Sequence, residues 1–531
     1  MNENIIQTKS RNELLSYSKE QLIQYFEKQN EYSNNLQKEY EEFKKENIDL
    51  KIEVTELKEY NKLLADKILV IEGQLVLLRN KIFRKKSEKS PLNKDLSPGS
   101  KGKNSKEKKK PEKRILLPSE NYPEAAIIES HIELKELPHC SCCGNKMEDS
   151  GMTEDSEYLT VEPKEYIIIQ QKRHKYRCGK CHGEIKTAPS APRIIPGSTY
   201  SDEMIIDVAM AKYCDLVPIE RYCTIAGREG LVDLPPNSLI GTTHKLADYV
   251  ESAYHKVREE IMSSQVLHAD ETPHRMLEGD DKKSWYLWGF SNNESSYFEI
   301  RNTRSGDVAS ELLNQSECQY LVSDVFSGYG KAVRESNKIR EEKNKPKITS
   351  VYCNAHSRRK FKEAGDSFPK ESECFIEYYR KIYQLEAEGK MDTGTLSDKR
   401  TEMQALFEEM KKEAESQRET YSAKSSLVTA INYFLKNYTE FTLFLYYPFL
   451  PIDNNHQERL LRNPVIGRKT WFGTHSKQGA KTTALFFTLV ESCKLNKINP
   501  RHYFKKLVQH LHVGLAVFTP KEFKDMLNNS G

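Results

Sequence analysis

Leu321-Val322-Ser323-Asp324 and His268-Ala269-Asp270-Glu271-Thr272 decide how this chain is read, because each carries an Asp at or near the end of an apolar, strand-like run. A third segment, Asp453-Asn454-Asn455-His456-Gln457-Glu458-Arg459, sets a Glu among basic residues in a helix-like stretch. Two carboxylates about 4 Å apart repel by roughly 4 kcal/mol at an effective dielectric near 20. Acids delivered together from strand ends and a helix are tolerable chiefly when divalent cations neutralise them. Magnesium suits such a place, since it prefers oxygen ligands and leaves room for water and phosphate. The pattern is the one that two-metal phosphoryl transfer needs.

The surrounding sequence predicts a sheet. Gln265 to Asp270 reads as a strand, Trp285 to Phe290 and Ser296 to Arg301 as a strand pair, and Tyr320 to Ser323 as a strand ending at Asp324. Ile348 to His356 reads as a strand leading into the basic run Arg358-Arg359-Lys360. Residues 357–440 are charged and helical in period, as an insertion would be. Strands followed by helices in this order fit an RNase H-like core interrupted by a helical domain. Glu271 neighbours Asp270 but points to the opposite face of a strand, so it receives no metal role. Asp453 competes with Glu458 as third ligand, and with Asn454 it can instead cap the following helix. A lone Asp ending a strand is usually a turn or cap residue, which for Asp324 is a serious competitor given Ser327-Gly328. Glu458 and Arg462 are four apart and also suit a surface ion pair. Cys353 and His356 have a ligand-like spacing with no second pair nearby, which favours a structural or hydrogen-bonding role beside the site.

Upstream, residues 202–257 read as helical. Pro218 starts one helix, Gly230 ends it, and Pro236-Asn237-Ser238 caps the next, so a helix-turn-helix is one reading and plain scaffold the other. Cys140-x2-Cys143 and Cys178-x2-Cys181 suit a four-thiolate zinc site. A β-hairpin is expected in the gap between them, with Tyr166–Ile169 and Arg173–Arg177 as its strands. Lys106–Lys110 and Lys113-Arg114 lie in a Pro-, Gly- and Ser-containing linker that cannot bury apolar area. It is either a solvated spacer or a non-specific grip on phosphates. Before it, Leu36, Phe43, Leu50, Leu57, Leu64, Ile71 and Leu78 recur every seven residues, offset by four from Tyr40, Asn47, Val54, Asn61, Ile68 and Leu75. That heptad predicts a coiled coil, and Asn at a positions favours a parallel, in-register dimer.

The 531 residues allow several domains, and a net charge of +4 does not by itself mark a nucleic-acid binder. The eleven cysteines, an odd number, argue against a complete disulfide framework. The polar N-terminus does not read as a signal peptide. The most apolar windows, Phe441–Leu450 and Ala484–Val490, are too short to span a bilayer. A soluble, cytoplasmic, nucleoid-associated protein with no membrane partner is expected.

From the heptads to the C-terminus the chain resembles the transposases of the insertion-sequence-66 family. The likeness is carried by Asp270-Glu271-Thr272-Pro273, by Cys353-x2-His356-x-Arg358-Arg359-Lys360-Phe361, and by Asp453-Asn454-Asn455-x2-Glu458-Arg459-x2-Arg462. Gly467-Arg468-Lys469 and Asn499-Pro500 extend it. Departures are Asn354, where the family commonly has Trp, and Thr470-Trp471-Phe472-Gly473. The resemblance implies a DDE enzyme acting on the ends of its own mobile element and joining them to target DNA. Asp270, Asp324 and Glu458 would be catalytic and hold two magnesium ions, and Cys140, Cys143, Cys178 and Cys181 would hold one structural zinc. Arg358, Arg359, Lys360, Arg459, Arg462, Arg468 and Lys469 are the expected DNA contacts. A homodimer or larger assembly forms through the coiled coil, and the resemblance suggests small accessory proteins encoded by the same element. The expected division is a coiled-coil region over 1–83, a linker over 84–118, a zinc module over 119–197 and a helical segment over 198–260. The RNase H-like core occupies 261–356 and 446–490 around an insertion at 357–445, with a helical end at 491–531. Competing readings are an inert zinc and coiled-coil repressor of the element ends, and a general RNase H-like nuclease.

Overall fold

The computed structural model describes residues 14, 16–83, 117–122, 126–129, 142–143, 145–146, 156–159, 164–177, 185–277, 284–391 and 395–529. Helix α1 (Lys19–Phe83) and the single turn α2 (Pro118–Asn121) precede strands β1 (Lys175–Arg177) and β2 (Ile185–Thr187). Helices α3 (Asp202–Tyr213), α4 (Ile219–Arg228), α5 (Pro236–Tyr249) and α6 (Glu251–Met262) follow. Next come β3 (Val266–Arg275), β4 (Ser284–Ser291), β5 (Ser296–Arg301), α7 (Asp307–Leu313), β6 (Tyr320–Ser323), α8 (Ser327–Glu342) and β7 (Thr349–Tyr352). A helical block, α9 (Asn354–Ala364), α10 (Pro369–Met391), α11 (Leu396–Thr420), α12 (Ser426–Lys436) and α13 (Tyr438–Thr442), leads to α14 (Asn455–Trp471), α15 (Lys477–Leu495), α16 (Pro500–His512) and α17 (Pro520–Asn529). No helix among the described residues is long and apolar enough to cross a membrane.

The described residues fall into two compact units. One draws on segments within 1–85, 192–219 and 237–531, the other on segments within 86–191 and 220–236. In the smaller unit β1 pairs antiparallel with β2, Tyr176 opposite Lys186. This corrects the expected hairpin. Residues 166–169 form no strand, and Ile167, Ile168 and Ile169 stand exposed. An apolar, β-branched run reads as a strand, but only a partner ladder makes it one. The observed hairpin instead brackets Cys178 and Cys181 in sequence. Those two cysteines and Cys140 lie outside the described residues, while Cys143 is exposed.

The larger unit is built on a five-stranded sheet in the order β5-β4-β3-β6-β7, with β5, β4 and β3 antiparallel and β3, β6 and β7 parallel. Alternation along each strand sends neighbours to opposite faces. Leu267, Ala269 and Leu321 enter one core, made with α3, α5, α6, α15 and α16. Val322 and Val351 enter the other, made with α9 to α13. The sheet therefore separates two cores, and Asp270 and Asp324 share the parity of the face that carries the helical block.

The outer strand β5 is kept from pairing with another chain by α15. Thr488 Oγ1 accepts from Phe298 N at 2.8 Å and Ser492 Oγ from Ser296 N at 3.0 Å, so helix hydroxyls take the edge donors. At 65 residues α1 is about 98 Å long. Its described heptad side chains Leu36, Tyr40, Phe43, Leu50, Val54 and Leu57 are all exposed. The heptad side chains from Asn61 onward lie outside the described part.

The helical block is locked by a buried ion pair. Arg400 on α11 donates to both Glu386 carboxylate oxygens, at 2.8 and 3.1 Å, and to the carbonyls of Phe444, Tyr447 and Leu450. Both side chains are almost wholly inaccessible to solvent. Removing Arg400 strands three carbonyls and leaves buried Glu386 with only the exposed Lys390, at 3.2 Å. Arg400→Ala is expected to destabilise the block by about 3–5 kcal/mol, read as a lower denaturant midpoint by far-UV circular dichroism.

Candidate active site

The sheet's register builds the site. Val266, Leu267 and His268 on β3 pair with Tyr320, Leu321 and Val322 on β6. Carried two residues past its last pair, this register sets Asp270 of β3 level with Asp324, the residue that follows β6. On the other side of β6, Ser323 pairs with Tyr352, so Asp324 is level with Cys353. Adjacent strands lie about 4.8 Å apart, and the three residues therefore form a row across the sheet. The parallel ladder between β3 and β6 stops just before this row.

One expectation needs correcting. Asp270 is not at a strand end: β3 runs on to Arg275, and its ladder with β4 continues from Asp270↔Gly289 to Arg275↔Ser284. The apolar pattern stops early because Thr272, Pro273 and His274 do not read as a core strand. Beyond His268, β3 has a sheet partner on one side only, so Pro273, which pairs with Tyr286, forfeits no ladder bond by lacking an N–H.

Helix α14 brings Glu458 to the row. It packs on β3 and β4, and the approach requires Gly289. A Cβ there would collide with the Gln457 side-chain amide, whose Oε1 accepts from Ser291 Oγ. Asn454 fixes the start of the helix. Its Oδ1 meets His268 Nδ1 at 2.8 Å, its Nδ2 donates to Ala269 O at 2.9 Å, and its N–H donates to Cys353 Sγ at 3.1 Å. One residue thus ties β3, the end of β7 and α14. Asp453, rather than Asn454, supplies the cap: its Oδ1 accepts from Asn455 N, and its Oδ2 from Asn455 Nδ2 and the Tyr383 hydroxyl. That engages both Asp453 oxygens.

Electrostatics reflect the crowding. Burial pushes the Asp270 acid well above the usual carboxylate range, and the charges of Glu271, Asp324 and Glu458 push it further. Its one hydrogen bond there is from Glu271 N at 2.9 Å. Glu271 itself lies on the other face, held by the Tyr329 hydroxyl at 2.6 Å and Arg304 at 2.7 Å. Burial raises it too, while both partners pull it back. His356 is kept neutral by burial against the raising effect of Glu458. Its Nδ1 is 3.6 Å from Glu458 Oε1, too far for a hydrogen bond, and neither atom has another hydrogen-bond partner. Arg359 approaches Glu458 Oε2 at 3.7 Å.

Among the described residues, the set whose ligand atoms all lie within 4.8 Å of one another is Cys353, His356 and Glu458. These could hold one ion. Burial pushes the Cys353 thiol up to about 12, which disfavours the thiolate that such an ion needs.

The expected DNA contacts distribute unevenly. Arg359, Lys360, Arg459, Arg462 and Lys469 are exposed, while Arg358 and Arg468 are half-buried. Arg468 lies on the inner side of α14, near enough to His274 to lower that imidazole. The sequence reading did not foresee Asn454 as a three-way tie, the Gln457–Gly289 contact, or the Tyr329–Arg304 hold on Glu271. Only the run of Asn, His and Gln beside Glu458 hinted at buried polar partners.

Residues 197–482 match the family model described as the IS66 family of transposases, more than half of the 531 residues. The chain belongs to the IS66 transposase family. Uncharacterized protein y4hP of Sinorhizobium fredii is 23% identical over 415 residues, covering 72% of this chain and 73% of that protein. Uncharacterized protein y4qI of the same organism is 27% identical over 409 residues, 73% of each chain. Within this family member the matched stretch contains the sheet, the helical block and α14.

His274 yields a pH prediction. Burial lowers its pKa to about 4, and it is tied to Thr474 Oγ1 at 3.1 Å. Below its ordinary value near 6.5, the unfolded chain takes a proton that the folded chain refuses. Its contribution is therefore full above about pH 6.5 and lost as pH falls to about 4, by roughly 3 kcal/mol. Urea midpoints measured from pH 7 to 4.5 should fall, and His274→Gln should flatten that slope.

Proposed function

We propose that this chain is a DDE-type DNA transposase that cuts at the ends of its element and transfers the freed 3′ ends to target DNA. The β3-β4-β5 hairpins, the parallel β6 and β7, and the helical block before α14 support an RNase H-like core with an insertion. One observation carries the reading. Two strands in parallel register bring Asp270 level with Asp324, and Asp270 feels both that carboxylate and Glu458. Among the described residues Asp270 has no cationic side chain within ion-pair distance.

Such a cluster fits divalent cations. An acid held up by burial and by its like-charged neighbours is stabilised as an anion when a cation arrives, and hard carboxylate oxygens suit magnesium. Asp270, Asp324 and Glu458 would hold two ions. When bound, the pair supplies an activated water or 3′ hydroxyl and stabilises the leaving oxygen of an in-line displacement. The protein's own part is positional. Asn454 and Gln457 fix Glu458 against β3 and β4, His356 packs beside its carboxylate at 3.6 Å, and Arg359, Arg459 and Arg462 face the phosphates. Arg358, Lys360, Arg468 and Lys469 complete the basic surroundings.

The exposed heptad face of α1 supports a parallel homodimer or larger assembly. The two Cys-x2-Cys pairs support one structural zinc, the second pair falling between β1 and β2. Accessory proteins of the same element remain part of the proposal through the family alone.

Magnesium-dependent cleavage of duplexes carrying the element's ends tests the core claim. Asp270→Asn, Asp324→Asn and Glu458→Gln should each lose on the order of 10²–10³-fold or more in rate, since several kcal/mol of charge stabilisation goes with each ligand. Binding should persist. Wild-type protein that binds the ends in magnesium yet never cuts them is an inert repressor, and cutting indifferent to end sequence marks a general nuclease. Separately, metal analysis should find about one zinc per chain, lost in Cys178→Ser.

A further inference from the structure

Phe472, at the end of α14, is the one aromatic side chain among the described residues that sits on a left-handed backbone, and it is turned outward. It is 70% exposed, and its backbone is left-handed, φ 63° and ψ 9°. A side chain with a Cβ is disfavoured there, and an aromatic ring in water gains nothing to offset it. The next residue shows that the conformation is enforced. Gly473 has φ 113°, and a Cβ on it would collide with the Arg275 carbonyl. Thr474 N donates to that carbonyl at 3.0 Å, and Leu277 N donates to Thr474 O at 2.7 Å. The turn is thus clamped to the end of β3, the strand that carries Asp270. Trp471 takes the inward place, edge-on to Tyr213 at 6.2 Å with Lys212 over its ring at 5.5 Å. Phe472 is left pointing away.

The helix leads from the carboxylates to this ring. Arg459, Arg462, Ile466 and Lys469 are exposed at spacings of three, four and three, one face of α14. Phe472 follows three residues on. Fourteen residues separate Glu458 from Phe472, about 21 Å along the axis. That is the rise of roughly six base pairs at 3.4 Å each. A basic track ending in a rigidly held, exposed aromatic is how a protein follows a phosphate backbone and then opens a base step.

We propose that Phe472 is a wedge that inserts into the bound DNA about six base pairs from the cleaved phosphate, unstacking one base. The inference rests on the transposase reading and specifies how that site grips its duplex. Strain at φ 63° persists because the clamp prevents relaxation, and the ring is used only when DNA is present.

The test uses the full chain and element-end duplexes carrying 2-aminopurine singly at positions four to eight from the cut. Wild type should raise the fluorescence several-fold at one position on binding. Phe472→Ala and Phe472→Gly should abolish that rise, Phe472→Trp should keep it, and an abasic site at the same position should restore the Phe472→Ala affinity. Phe472→Gly should melt at or above the wild-type temperature, because glycine accepts the left-handed backbone, so its loss of signal does not come from unfolding. If Phe472→Ala binds and cuts with the wild-type fluorescence pattern, the wedge is overturned and the transposase reading stands. If wild type neither binds nor cuts element ends, both fall.

Discussion

The parallel register between β3 and β6 is the constraint from which the rest of the larger unit follows. It sets Asp270 level with Asp324 on one face of the sheet, at a spacing where their charges repel. Hydrophobic strands on both sides hold that register: Leu267, Ala269 and Leu321 are anchored in one core and Val322 and Val351 in the other. A slip of one residue would turn each of these side chains to the wrong face. The repulsion is therefore borne by packing that would be lost altogether if the strands moved. Asn454 then adds the third carboxylate by joining β3, Cys353 and α14 through three hydrogen bonds, all of them buried.

The helical block has a part in the same geometry. Asn354, at the start of α9, donates to the carbonyls of Phe441 and Ile452. Tyr383 of α10 donates to Asp453, and Arg400 holds the carbonyls of Phe444, Tyr447 and Leu450. All of these ties end in the stretch from Phe441 to Asp453 that leads into α14. The block thus braces the segment that delivers Glu458, which gives a long insertion a mechanical reason to sit between β7 and α14.

Most strands were legible in the sequence because a half-buried strand announces itself by composition and turn signals. Ser296–Arg301 and Tyr320–Ser323 agree to the residue, and α4 and α5 lie where Pro218, Gly230 and Pro236 put them. The failures have physical causes. The far half of β3 was missed because strand pairing there needs no apolar run, only β4 alongside. Tyr166–Ile169 looked like a strand but lacks a partner. Asn354 read as a departure from a Trp-bearing motif, yet its amide meets two carbonyls no sequence could pair with it. The three acids were proposed from the sequence as a set; the residues around them were not readable, because a clamp such as Asn454 is defined by partners 101 to 186 positions away. Phe472 carries no pattern at all, since its meaning lies in a backbone angle.

Asp270 and Glu271 make the site's logic visible in two consecutive residues. Both are carboxylates on one strand, both are half-buried, and burial raises both. Alternation sends them to opposite faces. Glu271 meets a guanidinium and a phenol hydroxyl and is satisfied as an anion. Asp270 meets other carboxylates. Had Arg304 been on the other face, its charge would have offset that of the cluster. The basic residues around Glu458 obey the same rule: Arg359 stays at 3.7 Å and half exposed, and Arg459 and Arg462 point to solvent. Positive charge is thus kept at the rim and out of the row. The two faces of β3 thus differ in charge, with a paired carboxylate on one side and a carboxylate crowded by others on the other.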